Sequence, residues 1–178
     1  AMETAERMAP VVLWIDEIEK AFAEGSAEDG GVSTRVLGTF LSWMQERRGD
    51  VFIVATANAV ERLPPELLRK GRFDETFFVD LPDDATRAEI FRIHLERRNQ
   101  DPDAFDLSAL AAAADGFSGA EIEQVIISAL YSAFADDRDL SDDTLVAEIG
   151  ATRPLSVVAA ERVARLRQWA DGRTVRAN

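Results

Sequence analysis

The order of apolar and polar residues divides the chain into a part with short apolar runs and a part with helical periodicity. Val11–Ile15 and Val51–Ala55 are continuous apolar runs, which are typical of strands buried on both faces of a parallel sheet. Between them, within 33–48, apolar residues recur at the spacing of one helical face. A strand, a helix and a strand in this order predict a right-handed crossover unit in a parallel sheet.

The pattern changes after a third apolar segment at 76–79, which we predict as a strand stopped by Pro82. Beyond this proline, helical spacing replaces the short apolar runs. We therefore place a domain boundary near Leu81. It separates an α/β part at 1–81 from an all-helical part at 82–178.

The helical part contains its own start signals. Ser118 and Glu121 have the spacing of a capping box, in which each residue hydrogen-bonds to the backbone of the other. A helix is therefore predicted to begin at Gly119. A last helix is predicted to begin at Ser156, with an apolar stripe that ends at Trp169.

Composition and charge exclude several classes of protein. The 178 residues are 47% hydrophobic and 30% charged, which is the balance of a globular protein and not of a disordered one. The net charge of −13 repels phosphate backbones, so we expect no nucleic-acid partner. No apolar run is long enough to cross a membrane, and no membrane partner is expected. The absence of cysteine excludes disulfides and favours a cytoplasmic location.

Two carboxylates, Asp16 and Glu17, follow the first predicted strand directly. In open parallel sheets, ligands bind beyond the carboxyl ends of the strands. An aspartate there can hold Mg²⁺, and a glutamate can polarise an attacking water. Taken alone, the pair fits equally well a strand end followed by the acidic first turn of a helix.

Three more polar residues follow in an order that strengthens the first interpretation. Asn58 ends the neighbouring apolar strand, where it can orient a water or simply form a turn. Arg69 and Arg72 flank a short loop. Guanidinium groups there can stabilise charge on a transferring phosphoryl group, or they can be ordinary surface arginines.

In this order, the residues resemble the AAA family of ATPases, within the wider AAA+ group. Residues 11–17 resemble its Walker B motif, 51–58 its sensor-1 strand, and 63–74 (LPPELLRKGRFD) its second region of homology. Residues 116–123 (GFSGAEIE) resemble the start of the nucleotide-facing helix of its lid domain. The phrases WIDEIEKAF and GTFLSWMQE are most similar to AAA proteins encoded by cyanobacteria and chloroplasts.

The resemblance implies a fold and a set of roles. The fold is a partial parallel-sheet P-loop NTPase core followed by an all-helical AAA+ lid domain. Asp16 would bind Mg²⁺, Glu17 would activate water, and Asn58 would sense the γ-phosphate of ATP. Arg69 and Arg72 would reach the nucleotide of the next subunit in a ring of identical subunits, expected to be a hexamer.

Further positions take roles from the same resemblance. Gly119 and Ala120 would pack near the adenine. His94 falls where the family often has a histidine near the base, although an ordinary helix histidine fits the sequence equally well. The segment 24–32 matches the second pore loop, which faces the central channel of the ring.

The chain departs from the family in one respect, since it has no P-loop. That motif, GxxxxGK[ST], cradles phosphates with backbone groups and a lysine, and no Gly-Lys pair occurs in the sequence. The resemblance places the P-loop strand centrally in the sheet, so its absence would leave unpaired backbone groups. We expect compensation either by strand 76–79 closing onto the strand that precedes Asn58, or by strand edges pairing between chains.

Two interpretations follow. In the first, the chain is part of an ATP-driven AAA enzyme that remodels an unknown protein substrate, and by itself it is inactive and binds ATP and Mg²⁺ weakly. In the second, it is a nucleotide-independent module for protein interaction or oligomerisation. The expected location is the cytoplasm, or the chloroplast stroma in an organism with plastids. A two-carboxylate metal nuclease fits poorly, because the surface is acidic and few metal ligands lie near Asp16.

Overall fold

The computed structural model describes residues 2–22, 30–46, 49–69 and 71–177. The chain forms two compact units, Ala1–Thr76 and Phe77–Asn178. We call the first the sheet unit and the second the helical unit. Each has its own cluster of buried apolar side chains.

The sheet unit contains the predicted crossover. Its elements, in order, are α1 (Met2–Arg7), β1 (Val11–Ile15), α2 (Ile18–Phe22), α3 (Gly30–Glu46), β2 (Val51–Ala55) and a 3₁₀ turn at Val60–Arg62. The two strands pair in parallel, with Val11 opposite Val51 and Ile15 opposite Ala55. The predicted α/β class and the parallel strand order are confirmed.

The core of the sheet unit lies where α2 and α3 cover one face of the strands. Phe22 and Phe40 stack with ring centroids 5.3 Å apart. Around them, the buried side chains that pack together are Ile18, Met44 and Leu67. Leu67 comes from the turn after β2, so this cluster fixes the start of the loop that carries Arg69.

The prediction that both faces of the strands are buried is wrong for the described chain. Val12 and Trp14 on β1 are 62% and 61% exposed, and Phe52 on β2 is 67% exposed. Side chains alternate between the two faces of a strand, and the described helices of the unit cover only the face that carries the core. The apolar run therefore predicted the strand correctly and its surroundings incorrectly.

The helical unit is a set of short helices with a small sheet at its ends. Its elements are β3 (Phe77–Phe78), α4 (Asp84–Glu96), a 3₁₀ turn at Pro102–Ala104, α5 (Leu107–Ala113), α6 (Gly119–Ala135), α7 (Asp142–Ala151), α8 (Leu155–Val158), α9 (Ala160–Ala170) and β4 (Val175–Arg176). No helix in the described part of the chain combines the length and apolar character that a membrane crossing requires.

The helices of this unit begin at residues whose side chains accept a backbone hydrogen bond. Asp83, Asp106, Ser118 and Ser141 cap α4, α5, α6 and α7. The predicted capping box at the start of α6 is present in both directions. These caps satisfy backbone N–H groups that a helix leaves unpaired, so the helix positions follow from local sequence.

The core of the helical unit is larger and better enclosed. Its fully buried side chains include Phe91, Leu95, Leu110, Ile122 and Ile126. Beside this core the buried guanidinium of Arg87 joins α4 to α5. Its Nε donates to the carbonyl of Ala111 and its Nη1 to the carbonyl of Pro82, both at 2.8 Å. Pairing of this kind removes most of the penalty for burying a charge.

The predicted strand 76–79 does not close onto β2. It is shorter than predicted, at Phe77–Phe78, and pairs in parallel with β4. The amide of Ala177 extends the pairing by donating to the carbonyl of Phe78 at 3.0 Å. Because β1–β2 and β3–β4 form two separate two-stranded sheets in the described residues, the first proposed compensation is wrong. Pairing between chains stays a prediction.

The last predicted helix is divided in two. It breaks at Ala159, whose φ of −119° and ψ of 31° leave the helical region. Val157 and Val158 in α8 are therefore exposed and do not continue the stripe. Asp80 fastens α9 to the segment after β3, since its two carboxylate oxygens accept from Nε of Arg167 at 2.9 and 2.8 Å.

Candidate functional site

The candidate site lies where β1 and β2 end side by side. Ile15 and Ala55 are partners in the parallel register, so the next residues, Asp16 and Thr56, meet at one edge of the sheet. The hydroxyl of Thr56 donates to Oδ1 of Asp16 at 2.5 Å and accepts from the backbone N–H of Glu17 at 3.0 Å. Sequence reasoning missed Thr56. Its position directly after a strand paired with β1 was the available signal.

Glu17 has a backbone conformation that is uncommon for a residue with a side chain. Its φ of 49° lies in the left-handed region. The turn is held by Thr56, and the carbonyl of Glu17 accepts from the amide of Lys20 at 2.8 Å. Such backbone positions are often found at functional sites. Here the turn leads from β1 into α2 and directs the Glu17 side chain toward Asn58.

The Glu17 carboxylate is held from both sides. Nδ2 of Asn58 donates to Oε1 at 3.3 Å, and Nζ of Lys20 donates to Oε2 at 2.6 Å. The hydrogen bond from Lys20 is the main reason that the pKa of Glu17 lies below its usual value. Burial opposes it, and the hydrogen bond from Asn58 makes a smaller contribution that lowers the pKa. Glu17 is therefore ionised at neutral pH, the state required of a general base. Sequence reasoning did not assign a role to Lys20.

A third carboxylate lies beneath this edge. Glu19 is 4% exposed, and its Oε1 accepts from the backbone N–H of Asn58 at 3.0 Å. Sequence reasoning missed this residue. Its signal would have been the charged position between Ile18 and Phe22, which both enter the core of the sheet unit.

Asp16 is the one predicted metal ligand. The described residues contain no group of three or more histidine and acidic side chains that could enclose a metal ion. Mg²⁺ does not need such a group, because it commonly takes one or two carboxylates together with water and substrate phosphates. Asp16 is exposed at the sheet edge and has one oxygen engaged by Thr56. This donor set fits a nucleotide-bound Mg²⁺ and does not fit an all-protein metal site.

The two candidate arginines differ in their surroundings. Arg69 is exposed, and its guanidinium makes no hydrogen bond or ion pair within the residues that the structure describes. Arg72 is half-buried, and its Nη1 donates to the carbonyl of Leu41 in α3 at 2.7 Å. In this chain, Arg69 is thus available to an external ligand, while Arg72 ties its loop to the unit's own helix.

The remaining predicted positions belong to the helical unit. His94 lies on α4 with its Nδ1 3.4 Å from Oε1 of Glu123, and Arg98 donates to that same oxygen at 2.9 Å. The hydrogen bond from Arg98 lowers the pKa of Glu123. Gly119 and Ala120 form the first turn of α6, where Ala120 is exposed. Their predicted contact with adenine, and that of His94, stays a prediction.

The predicted pore loop is only partly covered by the structure. Residues 24–29 lie outside the described residues. Gly30, Gly31 and Val32, which were predicted to end the loop, already form the first turn of α3. The helix therefore starts earlier along the chain than the apolar spacing indicated, because glycines next to a helix start were taken for loop residues.

Comparison with known families and relatives gives a consistent result. Residues 1–81 match the ATPase family associated with various cellular activities (AAA), and 104–146 match an AAA+ lid domain. The AAA domain-containing protein ycf46 of Pyropia yezoensis is 46% identical over 95% of this chain, and that of Trieres chinensis is 44% identical over 98%. A proteasome-activating nucleotidase of Saccharolobus islandicus is 36% identical over 77% of the chain.

The chain spans about a third of the length of these relatives, between 35% and 36%. Among solved structures, the FIGL-1 AAA domain in complex with ADP superposes with a TM-score of 0.77 at 19% identity. The match covers 97% of this chain and 61% of that one. At this identity, the likeness concerns the fold. The family and lid matches, together with the relatives at 36% to 46% identity, establish that the chain belongs to the AAA family of ATPases.

Proposed function

We propose that this chain supplies the hydrolytic edge and the lid of an ATPase that remodels a protein substrate. The observation that carries the proposal is the arrangement of Glu17 between Asn58 and Lys20, next to an Asp16 fixed by Thr56. A metal-binding carboxylate, an ionised base and an amide donor at one sheet edge are the groups that hydrolysis of a phosphoanhydride requires.

Each group has a distinct part in the proposed reaction. Asp16 would hold Mg²⁺, which when bound stabilises negative charge on the phosphate oxygens. Glu17 would accept a proton from the attacking water. Asn58 would orient that water and the γ-phosphate, because its amide already lies within hydrogen-bond distance of the Glu17 carboxylate.

The arginines extend the proposal to an oligomer. The guanidinium of Arg69 is exposed and makes no ion pair within the described residues. It suits insertion into the nucleotide site of a neighbouring subunit in a ring, which we take to be a hexamer. Arg72 is assigned the same role by its motif, although here it must first leave the Leu41 carbonyl. Similarity to a proteasome-activating nucleotidase supports a ring that acts on proteins.

The proposal also assigns residues of the helical unit to nucleotide binding. Gly119, Ala120 and His94 would lie against the adenine of ATP, and the functional boundary would fall near Leu81, where the match to the AAA family ends. The ycf46 relatives come from organisms that carry plastids. This supports a location in the chloroplast stroma or the cytoplasm.

A nucleotide-independent interaction module is the second candidate. Two observations favour it: the sequence contains no GxxxxGK[ST] motif, and the sheet unit exposes Val12, Trp14 and Phe52 on one face. Without a phosphate cradle, we expect the chain by itself to be inactive and to bind ATP weakly. The apolar face could then serve contact with another protein.

Replacing Glu17 by Gln in the full-length protein tests the first candidate. The amide keeps the size of the side chain but cannot take a proton, so ATP turnover should fall by at least about 100-fold while ATP binding is retained. Glu61→Gln, on the exposed 3₁₀ turn, makes the same chemical change outside the site and should leave turnover unaltered. Equal turnover in the wild type and in Glu17→Gln would reject the role of Glu17.

A further inference from the structure

We propose that Glu19 is a positioning residue that sets the sensor Asn58 against Glu17. The inference rests on the proposed function, because it concerns the geometry of the same hydrolytic edge. Glu19 is buried behind the candidate site, whereas the site residues proposed above lie at its surface.

Glu19 contacts Asn58 through the backbone. Its Oε1 accepts from the Asn58 N–H at 3.0 Å, and the side chain is 4% exposed. The helix that carries Glu19 is itself fixed, since the N–H of Ile18 donates to the carbonyl of Thr56 at 2.9 Å. Glu19 therefore holds the segment after β2 from a rigid position.

The backbone contact controls where the Asn58 side chain points. Asn58 is exposed, whereas the next residue, Ala59, is buried. From this exposed position its Nδ2 reaches Oε1 of Glu17 at 3.3 Å. Glu17 and Glu19 thus hold Asn58 at two points, one by its side chain and one by its backbone. Without this hydrogen bond, the backbone of Asn58 would no longer be held in place, and its side-chain amide would lose its position next to Glu17.

The chemistry of Glu19 is unusual for a residue that only fills space. Its Oε2 is buried and has no hydrogen-bond partner within the described residues. Burying a carboxylate with an unpaired oxygen is unfavourable, and an apolar residue of similar length would fill this buried position without that penalty. What an apolar residue cannot do is accept the Asn58 N–H. We therefore infer that the role of Glu19 is to provide a hydrogen-bond acceptor for the Asn58 N–H.

Two variants with side chains of similar length distinguish the hydrogen-bond acceptor of Glu19 from its contribution to packing. Glu19→Gln keeps an oxygen that can accept the Asn58 N–H, whereas Glu19→Met fills the space without an acceptor. In the 178-residue chain, we expect the Asn58 amide to exchange with solvent about tenfold faster in Glu19→Met and at nearly the wild-type rate in Glu19→Gln. Urea unfolding of both variants checks that each is folded.

The same variants in the full-length protein give the kinetic readout. Glu19→Met should lower kcat for ATP by about 10- to 100-fold with little change in KM, because a misplaced sensor affects the transition state more than ground-state binding. Glu19→Gln should restore kcat to within about threefold of the wild type. A residue needed only for stability would not produce this division between kcat and KM.

The outcomes are distinguishable from failure of the proposed function. Unchanged kcat in Glu19→Met, or an equal loss of kcat in both variants while Glu19→Gln keeps the slow Asn58 amide, overturns the inference. If the wild-type protein does not hydrolyse ATP, the proposed function fails and the amide exchange decides the inference. An Asn58 amide that exchanges equally in Glu19→Met and the wild type then overturns it as well. Should Glu19→Met not fold, Glu19→Leu takes its place under the same criteria.

Discussion

The sheet unit and the helical unit contrast in how they combine stability with chemistry. The helical unit has an enclosed core around Phe91, and side-chain caps begin several of its helices. The sheet unit has a smaller core and leaves Trp14 and Phe52 exposed on one face. Yet the sheet unit carries the proposed base, metal ligand and sensor. The unit that carries the proposed chemistry is therefore the unit with the smaller core and with exposed apolar side chains on one face of its sheet.

The contrast has a physical origin in the two kinds of secondary structure. A helix pairs its backbone internally and needs only a neighbour for one face, and the helical unit supplies such neighbours within its own sequence. A parallel sheet is normally covered on both faces, and a strand at its edge leaves backbone groups unpaired. The described chain gives β1 and β2 one partner each and one covered face.

The largest expected effect comes from the core of the helical unit. Phe91→Ala removes a side chain with 0% exposure and should lower the free energy of unfolding of that unit by about 3–5 kcal/mol. Phe134→Ala removes the same side chain at 84% exposure in α6 and should change it by less than about 0.5 kcal/mol. Native-state hydrogen exchange of the α6 amides measures both. Similar losses of unfolding free energy in the two variants would show that Phe91 does not belong to an enclosed core.

A smaller effect is expected in the core of the sheet unit. Met44→Ala, at 7% exposure, should destabilise the unit by about 2 kcal/mol, because its small core can relax around the gap. Phe52→Thr on the open face should cost less than about 0.5 kcal/mol. It should also reduce concentration-dependent self-association, since it interrupts an exposed apolar face. Hydrogen exchange of the α3 amides measures the stability of both variants, and sedimentation velocity measures their self-association. A larger loss of unfolding free energy in Phe52→Thr than in Met44→Ala would contradict the assignment of a covered and an open face.

The capping box gives a prediction of intermediate size. Ser118→Ala removes the side-chain oxygen that accepts the Glu121 N–H and should destabilise α6 by about 1 kcal/mol. Ser128→Ala, in the middle of the same helix, should be neutral or slightly stabilising, because alanine has the higher helix propensity. Thermal unfolding followed by circular dichroism compares the two. If both variants melt at the same temperature, the cap does not hold the helix start.

The smallest expected effect is a dependence on pH. Arg98 lowers the pKa of Glu123 from 4.5, its usual value. A pKa that is lower in the folded state contributes stability above the unfolded value, and this contribution is lost as pH falls through the folded value. The Tm of the wild type should therefore exceed that of Glu123→Gln at pH 7, and the difference should vanish as the pH falls well below 4.5. A difference that grows toward low pH would show that the sign is wrong.

Much of this fold follows from the sequence because the signals are local. The apolar runs Val11–Ile15 and Val51–Ala55 predicted paired parallel strands, and Ser118 with Glu121 predicted the start of α6. The pairing of β3 with β4 could not be predicted in this way. It joins two very short segments that lie far apart in the chain, and neither has a periodic pattern of its own.

The grouping of the candidate site residues was predictable to a similar extent. Sequence reasoning proposed Asp16, Glu17 and Asn58 as site residues, and the structure brings Asp16 and Asn58 to the same sheet edge through Thr56 and Glu17. Lys20 and Glu19 were missed, because their importance depends on which atoms they reach in three dimensions. The different surroundings of Arg69 and Arg72 also follow from tertiary contacts alone.

Equilibrium binding of labelled ATP to the 178-residue chain, with and without Mg²⁺, shows whether a chain that has the hydrolytic edge but no phosphate cradle can hold the nucleotide. We expect at most weak binding, with a Kd on the order of 1 mM or above, and no hydrolysis. Tight, Mg²⁺-dependent binding at micromolar ATP would contradict this expectation, because the residues present would then suffice to hold the nucleotide.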